Sequence, residues 1–183
     1  NRMISLHDSV FTWLDHRAAW LLPTLARFVF VAVLFLYFWN AALSKVGDGL
    51  FGLFSPSLGA YAQIFPRAME AVSYDVSQLG AFHWLVVVAG TLSEFILPVL
   101  VVVGLFTRLA SLGAIGFIVI QSVTDIIGHG VGAKTTGAWF DRVSDALIFD
   151  QRAFWVLLLV ILVIKGAGPI SLDWLLRRQA ASG

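Results

Sequence analysis

The chain has 183 residues, of which 59% are hydrophobic and 13% charged, whereas soluble domains are typically about 45–50% apolar and about 25% charged. Its 12 basic and 11 acidic residues leave a net charge of +1, so we expect no basic surface of the kind that binds nucleic acid. Cysteine is absent, which excludes disulfides, thiolate metal ligands and a thiol nucleophile. The composition predicts an all-α membrane protein whose main partner is the lipid bilayer.

Four apolar segments are long enough to cross a bilayer, which takes about 20 residues in a helix. The predicted spans are residues 18–44, 79–106, 109–127 and 150–167. We expect Pro23 and Arg27 to mark the start of the first span, and only Thr107 and Arg108 separate the second span from the third. The prediction is a single domain, residues 1–183, built as a four-transmembrane-helix bundle with a tight hairpin between its middle spans.

Two longer connections, 45–78 and 128–152, fall on the same side of a four-span bundle, and we call that side the cap. The first connection is rich in Phe, Gly and Pro, which favours short helices lying in the membrane interface. The tail 171–178 is expected to form an amphipathic segment on the opposite, terminal side. Basic residues near the span ends number seven on the terminal side and five on the cap side. The positive-inside rule therefore predicts a bacterial inner-membrane protein with both termini in the cytoplasm.

Three sequence blocks stand at the ends of the predicted spans. The first span closes with LSK (43–45), the second contains SEF (93–95) and leads into GLFTRLA (104–110), and GAGPISLD (166–173) follows the fourth. In this order the blocks resemble the DoxX family of membrane proteins, over residues 27–176. The resemblance implies a four-helix membrane protein that works with a protein partner in oxidoreductase complexes, including a thiosulfate:quinone oxidoreductase. It does not imply one reaction, and it leaves the cofactor open, with quinone as a candidate.

Glu94 is the ionisable residue nearest the middle of a predicted span, where a charge costs about 2.5–3.5 kcal/mol on insertion scales. Asn40 in the first span and Gln121 in the third fall at a similar depth. In one interpretation Glu94 is a proton acceptor or a partner of a quinone headgroup. In the other, Asn40, Glu94 and Gln121 are interhelical hydrogen-bonding groups that fix the packing. The sequence leaves both interpretations open.

A second group of polar residues lies closer to the cap. Gln121, Asp125 and His129 are four residues apart and therefore form one stripe on a helix. Asp125 either orients His129, with both leading protons inward from the cap, or belongs to an ordinary polar helix end. Lys45, at the cap end of the first span, either pairs with Asp125 or Asp48 or extends its ammonium group to water.

His83, near the cap end of the second span, is expected to lie close to His129. Two histidines can ligate a haem iron or join a metal site, but the pattern offers no third ligand. We therefore predict no metal site and no haem.

The site prediction follows from these groups. Candidate catalytic residues are Glu94, Asp125 and Lys45, and candidate cofactor-binding residues are Asn40, Gln121, His129 and His83. The leading hypothesis is a membrane subunit of a quinone-interacting redox complex. The alternative is a non-catalytic subunit that anchors, stabilises or helps to assemble a larger membrane complex.

Overall fold

The computed structural model describes residues 2–182, and within them the chain is helical, without a β-strand. Four helices are long and apolar enough to cross a membrane: α1 (Arg2–Leu43), α4 (Ala81–Val103), α5 (Thr107–Gly128) and α7 (Leu147–Lys165). The shorter helices are α2 (Leu58–Ile64), α3 (Pro66–Ala71), α6 (Ala133–Thr136) and α8 (Leu172–Ser182). The predicted fold class is confirmed, and the four long helices indicate an integral membrane protein.

The spanning helices form a ring in which α1 and α5 each pack against both α4 and α7. Core residues on α1, α5 and α7 recur every three or four positions, the spacing that keeps side chains on one helix face. The buried core contains Ala26, Phe30, Leu34 and Phe38 of α1, Val101 of α4, Ala110, Ala114 and Ile118 of α5, and Trp155, Leu159 and Leu162 of α7. The outer faces expose apolar side chains such as Leu36, Leu109 and Leu157, which suits helices in contact with lipid.

The first helix begins earlier than the predicted span. Helix α1 already starts at Arg2, and Pro23 lies inside it, so neither Pro23 nor Arg27 marks its beginning. Residues 2–17 are all exposed, and the Arg17 guanidinium lies 5.1 Å from the centre of the Trp13 ring. Charged side chains that point away from a helix do not interrupt it. The apolar pattern alone therefore placed the start of α1 too late.

Arg27 joins α1 to the ends of two other spanning helices. Its guanidinium donates hydrogen bonds to the carbonyls of Val101 and Val102 at the end of α4. It also donates to the carbonyls of Ala167 and Ile170 in the turn after α7. The last carbonyls of a helix lack partners within that helix. Arg27 supplies the N–H donors that these carbonyls need. Arg27 thus links α1, α4 and the turn after α7 on the terminal side.

Asp173 fastens α8 to the hairpin between α4 and α5. Its carboxylate accepts hydrogen bonds from the backbone N–H groups of Phe106 (2.8 Å) and Thr107 (3.0 Å), which are donors that a helix start leaves unpaired. The Asp173 N–H donates to the carbonyl of Gly104 at 2.8 Å. The SLD end of the last block is thus a cap for α5, and the predicted amphipathic tail is confirmed as helix α8.

We expect Asp173→Asn to lower the free energy of unfolding by about 1–2 kcal/mol, because an amide offers only one acceptor oxygen to two N–H donors. Burial raises the pKa of Asp173, but the N–H groups of Thr107 and Phe106 and the nearby Arg177 together bring it below its ordinary value. The stability that the ionised Asp173 carboxylate contributes is therefore fully present above its unfolded-state pKa of about 3.9. It is lost as the pH falls through the lower folded-state pKa.

Chemical unfolding in detergent micelles across this pH range measures the effect. The exposed Asp48 of the cap provides the matched control, Asp48→Asn, which should change stability little. A loss for Asp173→Asn no larger than that of the control would contradict the capping role.

The connection 45–78 forms short helices, as predicted. Helix α2 begins at an N-cap in which the Ser57 hydroxyl accepts a hydrogen bond from the N–H of Ala60. Helices α2 and α3 then pack on the start of α4 through a small core of Ala60, Tyr61, Met69 and Val87. The cap is therefore a fixed wall against the cap-side half of the bundle.

Candidate functional site

A cavity of about 370 Å³ lies between α4 and α5 in the cap-side half of the bundle, and α2 contributes to its wall. We call it the membrane cavity. Most of its surface is apolar. Its polar lining residues are Lys45, Gln63, Ser93, Glu94, Gln121, Thr124, Asp125 and His129. Five of the seven predicted site residues therefore share one cavity.

The exposed lining residues of the membrane cavity are Ala89 and Ile120, between α4 and α5, and Gln63 and His129, at the cap end. Ala89 and Ile120 line it while being exposed on the outside of the bundle, Ile120 to 68%. Each lies eight residues from the cap-side end of its helix, Ala81 and Gly128 respectively, or about 12 Å along the helix axis. A mouth at that depth faces the hydrocarbon of a bilayer whose core is about 30 Å thick. A ligand can therefore enter from the lipid.

Lys45 and Glu94 form an ion pair at the inner end of the cavity. The Lys45 Nζ lies 2.9 and 3.0 Å from the two carboxylate oxygens of Glu94 and also donates to the carbonyl of Ala41 at 3.0 Å. Only 6% of Lys45 and 4% of Glu94 is exposed. The predicted pairing of Lys45 with Asp125 or Asp48 is wrong, because the lysine side chain turns back along α1 toward the membrane interior.

A second ion pair joins α5 to α7. Arg152 donates to the carboxylate of Asp125 at 2.6 Å and to the hydroxyl of Ser122 at 2.9 Å, and only 3% of Arg152 is exposed. The prediction that Asp125 orients His129 is wrong, because the His129 Nε2 lies 2.9 Å from the backbone carbonyl of Gln63 instead. Arg152 is not among the predicted site residues, although an arginine at the start of an apolar span was a usable signal.

Gln121 carries a free hydrogen-bond acceptor on the cavity wall. Its Nε2 donates to the Tyr37 hydroxyl at 2.9 Å, and Tyr37 packs against Trp155 with ring centres 5.2 Å apart. Within the described residues the buried Oε1 of Gln121 has no hydrogen-bond partner. Buried polar atoms are rarely left unpaired in proteins, and Gln121 lines the membrane cavity, so its amide is a candidate hydrogen-bonding partner for a ligand.

The structure does not bring Asn40 or His83 to the cavity. Asn40 follows the buried Phe38 by two positions, which turns it by roughly 200° around α1, and it is exposed on the outside of the bundle. His83 lies against the rings of Phe65 and Phe82, with ring centres 4.8 and 5.8 Å away. The expected layer of Asn40 with Glu94 therefore does not form.

The arrangement combines a lining exposed between α4 and α5 with the Lys45–Glu94 ion pair at the inner end and with Gln121, Asp125 and His129 along the wall toward the cap. Such a cavity suits a flat, mainly apolar ligand that carries a few polar atoms. Within residues 2–182, no three or more His, Cys, Asp or Glu side chains are grouped so that they could hold a metal ion. Comparison with protein-family models, with curated proteins and with solved structures gives no match to this chain.

Proposed function

We propose that this chain is a membrane subunit that binds a quinone headgroup in the membrane cavity and works with a redox partner protein. The mouth between α4 and α5 carries the proposal, because quinones dissolve in the bilayer and enter protein sites from it. The cavity volume of about 370 Å³ falls within the usual range of about 300–1,000 Å³ for small-molecule sites. The resemblance of the three sequence blocks to the DoxX family supports the same proposal.

The polar residues of the cavity suit the headgroup and its protons. A bound quinol would supply two electrons, for a redox centre on the partner protein, and two protons. The unpaired Oε1 of Gln121 would accept a hydrogen bond from a ring hydroxyl. The ion pair of Glu94 with Lys45 would hold the headgroup at the inner end of the cavity. Asp125 and His129 line the wall toward the cap and take up protons there.

Direct binding tests the proposal. The full chain in detergent micelles is titrated under reducing, oxygen-free conditions with a benzoquinol that carries a ten-carbon tail, and bound quinol is extracted and quantified. We expect Ala89→Phe to block the mouth and weaken binding about tenfold or more, and Gln121→Leu to weaken it by roughly threefold to tenfold through one lost hydrogen bond. Ala153→Phe, on an exposed position of α7 outside the cavity, is the matched control and should bind as the wild type does.

A second candidate function is that of a non-catalytic subunit that anchors or stabilises a membrane complex. The internal pairing of Lys45 with Glu94 and of Arg152 with Asp125 favours it, because each ion pair also fixes helix packing. Under this alternative the purified chain retains no quinone, and its complex works fully with Glu94→Gln and Asp125→Asn. Those results would exclude the quinone site.

Both termini are assigned to the cytoplasm as part of the same proposal. Arg27, Lys45 and Arg152 make hydrogen bonds inside the bundle, so they contribute little to the charge of the loops. The remaining basic residues are Arg2, Arg17, Arg108, Lys165, Arg177 and Arg178 on the terminal side and Arg67, Lys134 and Arg142 on the cap side. The positive-inside bias is then six against three, which strengthens the assignment.

A single introduced thiol tests this orientation, because the chain has no cysteine of its own. We expect Ser9→Cys, in the exposed start of α1, to react with an impermeant maleimide only after the cells are broken. Asp48→Cys on the cap should react in intact spheroplasts. The reverse pattern would place the termini outside.

A further inference from the structure

A second pocket, of about 270 Å³, lies on the terminal side of the bundle, where α7 ends and α8 begins. We call it the terminal pocket. Lys165 and Arg177 line it, together with Trp20 and Trp174. Asp173 also lines it, but the N–H groups at the start of α5 occupy its carboxylate. None of these residues belongs to the membrane cavity.

The terminal pocket carries a positive charge that the chain does not neutralise. Lys165 and Arg177 are exposed and make no ion pair within residues 2–182. The guanidinium of Arg27 bonds to the carbonyl of Ala167, which lines the same pocket. Asp173 supplies the single negative charge among the lining residues. A ligand that complements this pocket is therefore an anion.

The position of the terminal pocket indicates where that anion comes from. Lys165 is the last residue of the apolar helix α7, so it lies where the helix leaves the hydrocarbon. Trp20 and Trp174 are 40% and 37% exposed beside it, and indole side chains concentrate at the level of lipid headgroups. Phospholipid phosphates lie at this level in every bilayer, which gives a lipid the advantage over a dissolved anion.

We infer that the terminal pocket binds the headgroup phosphate of an anionic phospholipid, with Lys165 and Arg177 as its cationic ligands. Basic pockets at the ends of transmembrane helices recognise anionic headgroups by the same chemistry. Trp20 and Trp174 line the same pocket and would lie beside the bound headgroup. This site is independent of the quinone proposal, because it shares no residue with the membrane cavity.

Competition between two lipids tests the inference. The full chain in mild detergent is mixed with equal amounts of phosphatidylglycerol and phosphatidylcholine, and the bound lipids are counted by native mass spectrometry. We expect the wild type to retain phosphatidylglycerol in preference. Lys165→Gln with Arg177→Gln should weaken that binding roughly 25-fold, at about fivefold for each cation.

Two control variants separate the site from general charge and from folding. Lys134→Gln with Arg142→Gln removes the same charge from exposed positions of the cap and should leave the preference unchanged. Lys165→Arg with Arg177→Lys keeps the charge and should also retain it. Thermal unfolding of each variant confirms that it is folded, as expected for substitutions at exposed side chains.

Several results would overturn the inference. They are equal binding of the two lipids by the wild type, an unchanged preference in the Gln double variant, and an equal loss in the cap control. Displacement of phosphatidylglycerol by millimolar inorganic phosphate would assign the terminal pocket to a free anion instead. None of these results bears on quinone binding, so the two proposals fail separately.

Discussion

Lys45→Met should lower the free energy of unfolding by roughly 3–5 kcal/mol, the loss typical of breaking a buried ion pair. Lys45 is 6% exposed, and its ammonium group contacts both carboxylate oxygens of Glu94. The substitution leaves the Glu94 carboxylate deep in the bundle without its cation. Unfolding of the purified chain in mixed micelles, with increasing denaturing detergent, measures the loss.

The double variant Lys45→Met with Glu94→Met shows whether the loss of stability comes from the broken ion pair or from altered packing of the lysine side chain. Replacing a buried ion pair by apolar side chains of similar volume is often neutral or stabilising, so the double variant should recover most of the stability. Lys134→Met, at an exposed position of α6, should change stability by less than about 0.5 kcal/mol. If Lys45→Met costs no more than this control, Lys45 and Glu94 are not an energetically important pair.

Gly104→Ala should lower the free energy of unfolding by about 3 kcal/mol, because two costs coincide at this residue. Gly104 has φ +69° at the end of α4, and a left-handed conformation costs an L-residue about 1–2 kcal/mol. A Cβ at this position would lie 2.5 Å from the Cβ of Ser171 and 3.2 Å from that of Ala167. Overpacking of this kind typically costs about 1–3 kcal/mol more.

Two other glycines separate these costs. Gly49 has φ +79°, and a Cβ added there would meet no atom within 4 Å, so Gly49→Ala should show the conformational cost alone. Gly116 lies within α5 with open space around it, and Gly116→Ala should stabilise the chain by roughly 0.5–1 kcal/mol. The same unfolding titration compares all three. A loss for Gly104→Ala equal to that for Gly49→Ala would show that the turn after α7 yields to the added methyl group.

The sequence predicted the membrane cavity better than it predicted the contacts inside it. Gln121, Asp125 and His129 share a helix face because they are four residues apart, and all three line the cavity. The predicted partners of Lys45 and Asp125 were wrong, because the actual partners, Glu94 and Arg152, lie on other helices. Spacing along one helix does not determine its rotation against a neighbour. Asn40 illustrates the same point, since its depth matched Glu94 while its side chain faces outward.

The sequence by itself determined the four apolar spans, the tight hairpin, the short helices of the cap and the amphipathic tail. These features depend on local periodicity and on the length that a bilayer requires. Only the tertiary structure decided which charges meet, where the cavity opens, and that Arg27 and Asp173 fasten the terminal side. Those features depend on contacts between residues as many as 143 positions apart, which are set by how four helices pack and not by any one segment. The apolar composition therefore accounts for the lipid-facing surface and the buried core, whereas the ion pairs Lys45–Glu94 and Arg152–Asp125 depend on how the helices pack.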